Sequence, residues 1–114
     1  MLLWTAYERW ERGERLSAQR YIQFSIDVFL DLLVTHQALN RPPVADRLET
    51  RRRLEQIEPE LGRELGRISS LAPAEAGVAL IALAQKRLSS RAPGLAWGKV
   101  SAVRRWLEEA GASA

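Results

Sequence analysis

Asp27 and Asp31 are the residues of this 114-residue chain best spaced to do chemistry. Four positions apart, they share one face of a helix, and two carboxylates so placed repel each other unless something compensates. Arg20 and Gln23 precede them at helical spacing and fall on the same strip. Such a strip can bind a cationic or hydroxyl-bearing small-molecule acceptor, or offer one carboxylate as general base to an incoming hydroxyl. It can equally be solvated surface, with Arg20, Gln23 and an arginine from a neighbouring helix neutralising the carboxylates. We take Arg20, Gln23, Asp27 and Asp31 as the candidate substrate-binding residues.

Other chemistries lack their parts. The sequence has no cysteine and a single histidine, His36, so neither a thiolate nor a multi-histidine metal site can form. No serine sits in a nucleophile elbow, and the glycines are scattered rather than gathered into a phosphate-cradling loop. No metal, cofactor or catalytic residue is therefore expected, and the chain alone is not expected to be an enzyme. The net charge is +3, from 17 basic and 14 acidic residues of alternating sign. The one basic run, Arg51 to Arg53, is flanked by Glu49 and Glu55. Nucleic-acid binding through Arg47, Arg51 and Arg52 ranks last among the readings, because such a binder concentrates its cations on one face. No apolar run approaches the roughly 20 residues that span a bilayer, and the first residues lack a signal peptide's charged and apolar regions. No membrane partner and a cytoplasmic location are expected.

The elements that must position the strip are all helices. Leu3, Tyr7 and Trp10 form one apolar stripe over about Leu2 to Arg12, which Gly13 stops. Ser17 is the expected N-cap of a second helix reaching about Leu39, where Asn40, Arg41, Pro42 and Pro43 end it. On that helix Tyr21, Ile22, Ile26, Val28, Phe29, Leu30, Leu32 and Leu33 cover most of the circumference, the pattern of a rod wrapped by its neighbours. The short connection at Gly13 makes the two helices an antiparallel hairpin.

Asp46 can cap a third helix to about Ile57, and Pro59 can open a short segment with Leu61, Leu65 and Ile68 inward, distorted by Gly62 and Gly66. Pro73 begins a second core helix, about Ala74 to Leu88. The last helix, about Gly98 to Ala110, presents Val100, Val103, Trp106 and Leu107 inward, and Gly111 ends it. The expectation is all-α: a single bundle over residues 1–114, of five to six helices with antiparallel neighbours. The tryptophans, Trp4, Trp10, Trp97 and Trp106, lie toward the two ends of the chain, as packed terminal helices or a dimer contact would place them. A tetratricopeptide array is excluded, because the hairpin pattern does not recur about 34 residues later.

The stretch Tyr7-Glu8-Arg9-Trp10-Glu11-Arg12-Gly13-Glu14-Arg15-Leu16-Ser17-Ala18-Gln19-Arg20-Tyr21-Ile22, continuing to Asp27 and Leu32-Leu33, resembles the helical C-terminal half of bacterial antibiotic and minimal nucleotidyltransferases. The resemblance covers about Leu2 to Leu39. It implies a bundle that helps bind the acceptor substrate and often builds a homodimer, beside a catalytic domain with a Gly-Ser turn and an Asp-x-Asp pair. Neither catalytic feature occurs here, so the chain is expected to be a substrate-binding or dimerisation domain, as the C-terminal part of a longer protein or beside a separate catalytic domain. The alternative is a stand-alone helical module that dimerises or docks onto a partner protein.

Overall fold

The computed structural model describes residues 2–36 and 58–113. Among them are five α-helices and no strand: α1, Leu2–Glu11; α2, Arg15–Thr35; α3, Pro59–Ser69; α4, Pro73–Leu88; and α5, Trp97–Ser113. The chain is an all-α bundle, as its apolar periodicity predicts. The expected helix from Asp46 to Ile57, with its arginines, lies outside the described residues.

Gly13 joins α1 to α2. It stands at φ +80°, in the left-handed region. Its N–H donates to Trp10 O at 3.0 Å and the Glu14 N–H donates to Arg9 O at 2.9 Å. This pair of bonds is the Schellman arrangement, which satisfies the orphan carbonyls of a helix end. The apolar contact that commonly accompanies it is replaced by an ion pair, Arg9 to Glu14 at 3.3 Å. Glu14 then accepts the first intrahelical bond of α2, from the Ala18 N–H at 3.0 Å. The helix therefore starts at Arg15, two residues before the expected Ser17 cap, because the turn has already aligned the Glu14 carbonyl. The guanidinium of Arg15 lies 4.1 Å from the Trp10 ring centre, so the hairpin is clasped by a cation–π contact as well.

α2 ends at Thr35, short of the expected Leu39, and His36 caps it. α3 is continuous despite its glycines; Leu61, Leu65 and Ile68 are buried as their spacing requires. Proline opens both α3 and α4, with Glu60 and Glu75 in the positive first turns and Lys86 and Arg87 in the last turn of α4. α4 touches every other helix. At Gly77 a β-carbon would stand 2.7 Å from Cδ1 of Leu107 and 3.7 Å from Cβ of Leu3. α5 runs through Gly111 to Ser113 rather than stopping at the glycine.

The core is built from the apolar faces of all five helices, including Leu3, Ile26, Leu33, Leu61, Ile68, Leu88 and Leu107. Two expected core residues lie elsewhere. Trp106 is 54% exposed, its ring set edge-on to Trp4 at 6.1 Å, so the terminal helices meet at a surface aromatic pair. Val28 is 48% exposed and Phe24 is 42% exposed, so α2 is not wrapped on all sides. The bare side faces away from the helices packed on Ile22, Ile26 and Leu33, and it already begins at Leu16.

Candidate functional site

The strip singled out from the sequence divides in two. Arg20, Asp27 and Asp31 are exposed on the outer face of α2, opposite the buried Ile22, Ile26 and Leu33. Gln23 is half-buried and turns into a cleft of about 330 Å³ with Trp10, Gln19, Ser70 and Pro73, between α2 and the α3–α4 connection.

Sequence reasoning missed Phe24. It stands four residues after Arg20 and three before Asp27, which places it inside the strip at about 100° per residue. That spacing was the available signal, and the richness of apolar residues on α2 masks it. The Arg20 guanidinium lies 5.2 Å from the Phe24 ring centre, and Tyr21 meets the same ring edge-on at 6.3 Å. Arg20 is thereby held along the outer face rather than left to sample solvent. Among the described residues Asp31 makes no ion pair. The outer face therefore carries a cation toward its N-terminal end, exposed Phe24, Asp27 and Val28 at its centre, and the Asp31 carboxylate toward its C-terminal end.

Beside this face, past Val28, an apolar groove of about 220 Å³ opens between α2, α4 and the start of α5. Val28, Phe29 and Leu32 form one wall; Leu80, Ile81, Ala84 and Leu88 form the floor; Trp97 and Val100 close the far side. The polar atoms at its rim are already committed. The Ser25 hydroxyl donates to Tyr21 O at 2.9 Å, and the Trp97 indole N–H donates to Ala92 O at 2.9 Å. The groove can offer a ligand apolar contact and little hydrogen bonding.

A third cleft, between α3 and α4, is lined by Glu60, Glu64, Arg67, Lys86, Arg87 and Arg91. Part of its charge pairs within the protein. Arg67 donates to Glu64 at 2.6 Å; this bond, reinforced by the charges of Arg67 and Lys86, holds the Glu64 carboxyl below its ordinary range, and the same bond with the Glu64 charge holds Arg67 above its own. Arg87 donates to Glu58 at 2.9 Å, a carboxylate that is only 4% exposed. The Arg87–Glu58 pair ties α4 to the start of α3, while Arg67–Glu64 lies within α3.

Among the described residues no group of three or more His, Cys, Asp or Glu side chains is placed to hold a metal ion. None of the described helices is long and apolar enough to cross a membrane. No family model, curated protein or solved structure matches the chain.

Proposed function

We propose that this chain is a helical binding domain that works through the outer face of α2, and that it is the acceptor-binding or dimerisation bundle of a nucleotidyltransferase whose catalytic domain is carried elsewhere. One observation supports the reading above the others. Arg20, Asp27 and Asp31 stand exposed around the uncovered rings and methyls of Phe24 and Val28, beside an open apolar groove. A helix face that mixes exposed aromatic and aliphatic surface with fixed charge of both signs is built for contact, because charge sets orientation while apolar burial supplies affinity. Asp27 and Asp31 also provide two acceptors one turn apart for an ammonium or hydroxyl group of an acceptor.

The test begins with the flanking genomic DNA. A fused or adjacent reading frame with a Gly-Ser turn and an Asp-x-Asp pair is expected, and its product should bind this chain. Phe24→Asp combined with Val28→Asp should abolish that binding while helix content stays unchanged. The absence of such a frame, or binding untouched by the double variant, would overturn the assignment. The stand-alone interaction module is the second reading. The exposed Trp106 against Trp4 favours it, since this aromatic pair is an anchor of the kind found in protein interfaces.

A further inference from the structure

The apolar groove beside α2 is a recess for an inserted group rather than a flat face for another helix. Four helices and a connection wall it, through Leu2 of α1, Val28 and Leu32 of α2, Ala84 on the α4 floor, Leu95 in the α4–α5 connection and Trp97 of α5. The far wall is fixed before any guest arrives, because the Trp97 indole N–H is bonded to Ala92 O at 2.9 Å. Scaled from the roughly 150 Å³ apolar cavity that takes benzene, a volume of about 220 Å³ holds about eight or nine carbon atoms. The only polar side-chain groups in the wall, the Ser25 hydroxyl and the Trp97 indole, are spent within the protein. A guest therefore gains nothing from a polar group inside the groove, and its head group belongs at the mouth.

The charge nearest the mouth decides which head group that is. At about 100° per residue, Asp31 stands about 60° around α2 from Val28 and nearly one turn beyond it, which puts their β-carbons about 5–6 Å apart. Asp31 is exposed and makes no ion pair among the described residues. The neighbouring charges are engaged or turned away. Asp27 already interacts within the chain and lies about 100° from Val28, and Arg20 is stacked on Phe24. Arg87 is paired with Glu58 and Arg104 with Glu108. Lys99 stands about 160° around α5 from Trp97.

We infer that the groove and the Asp31 carboxylate together bind a soluble amphiphilic amine, with an aliphatic tail of about eight carbons in the groove and the ammonium against Asp31 at its mouth. The inference rests on the reading of Asp31 as an acceptor-binding carboxylate and names the class of acceptor. The two parts contribute differently. Each methylene moved from water into the groove strengthens binding about fourfold, up to the chain length that fills it. The carboxylate, exposed to solvent, adds little affinity and selects an amine over an acid of the same length.

The experiment is an NMR titration of the isotope-labelled full chain with n-alkylamines from butylamine to dodecylamine, below their micelle concentrations, and with octanoate as the charge-reversed probe. Octylamine should bind saturably with a Kd of about 1 mM and shift the Trp97 indole, Val28 and Leu32 signals. Affinity should rise about fourfold per methylene and level off beyond about nine carbons, and octanoate should bind roughly 10-fold more weakly than octylamine. Asp31→Asn should bring amine and acid to within about twofold of each other and keep the dependence on chain length. Ala84→Phe fills the floor, and Val28→Trp narrows the mouth from an exposed position, which keeps the test open if the first variant disturbs the core. Each should weaken octylamine at least about 10-fold with helix content unchanged by circular dichroism. Octylamine that leaves Trp97 unmoved, or that binds both filled variants as it binds wild type, overturns the site. An amine preference that survives Asp31→Asn overturns the pairing of head group and carboxylate. An aminosugar whose shifts on α2 require Asp27 and Asp31, in a protein that ignores octylamine, would overturn this inference alone and leave the acceptor-binding reading in place. Octylamine binding in a chain with no catalytic reading frame beside its gene would instead remove the nucleotidyltransferase assignment and leave the amine site standing.

Discussion

Replacing each of two helix glycines by alanine separates local preference from packing. Gly66, within α3, is exposed, and a β-carbon there would meet no atom within 4 Å outside its own helix backbone. Alanine should therefore stabilise the protein by about 0.5–1 kcal/mol, the helical advantage of alanine over glycine. Gly77 in α4 receives the same advantage but is buried, and the new carbon would stand 2.7 Å from Leu107 Cδ1. Leu107 is itself fully buried, so any shift of its Cδ1 has to be taken up inside the core. Overpacking of that kind costs about 1–3 kcal/mol, so Gly77→Ala should be less stable than Gly66→Ala by that amount. The assay is urea unfolding followed by circular dichroism, with equal m-values as the check that both variants unfold from the same state. A double-mutant cycle identifies the cause: with Leu107→Ala in the background, Gly77→Ala should become stabilising like its counterpart. Equal stabilities for the two single variants, or a penalty at Gly77 that survives removal of the Leu107 side chain, would refute the close approach of α4 and α5.

Further outcomes are expected elsewhere. Gly13→Ala should cost about 1–2 kcal/mol in the same assay, since the penalty is purely that of a left-handed backbone, and Gly13→Asn should cost less. Arg87→Met removes one partner of the buried Glu58 carboxylate and should destabilise the protein; a neutral result in urea unfolding would show that the pair contributes little. Glu64 should titrate below an ordinary glutamate when followed by side-chain NMR, and Arg67→Ala should return it toward the usual value. Because its carboxyl is held low in the folded state, its contribution is present above the unfolded pKa and disappears as the pH falls through the lower, folded one. Asp27→Asn with Asp31→Asn should weaken binding of a hydroxyl-bearing amine such as an aminosugar, read by NMR shifts on α2, without unfolding the domain; equal binding would discard the carboxylates as the acceptor site.

The helices were legible because each carries its own stripe at helical spacing: Leu3 and Tyr7 in α1, Leu61, Leu65 and Ile68 in α3, Leu80 and Ile81 in α4, Val103 and Leu107 in α5. Their starts were legible where proline marks them and obscure where backbone geometry alone decides. Glu14 displaced Ser17 as the start of α2 through bonds made by the preceding turn. Exposure on α2 was harder to read. A rod that is apolar on most sides does not announce which side its neighbours leave bare, and the answer depends on where the other helices pack. Val28 was therefore expected inside, and Phe24 escaped notice within its own polar strip. Trp106 follows the same logic at the other end of the chain: one residue before the buried Leu107, it lies at the margin of its stripe and finds Trp4 instead of the core.

Glu14 terminates one helix and initiates the next, so the joint between α1 and α2 has no spare residue. A single inserted amino acid could not be absorbed as slack. It would rotate α1 by about 100° around its own axis and turn Leu3 and Ala6 from the interior toward water. The hairpin thus tolerates changes of residue type far better than changes of length, and insertions or deletions between Trp10 and Ala18 should be purged in any lineage that keeps this bundle.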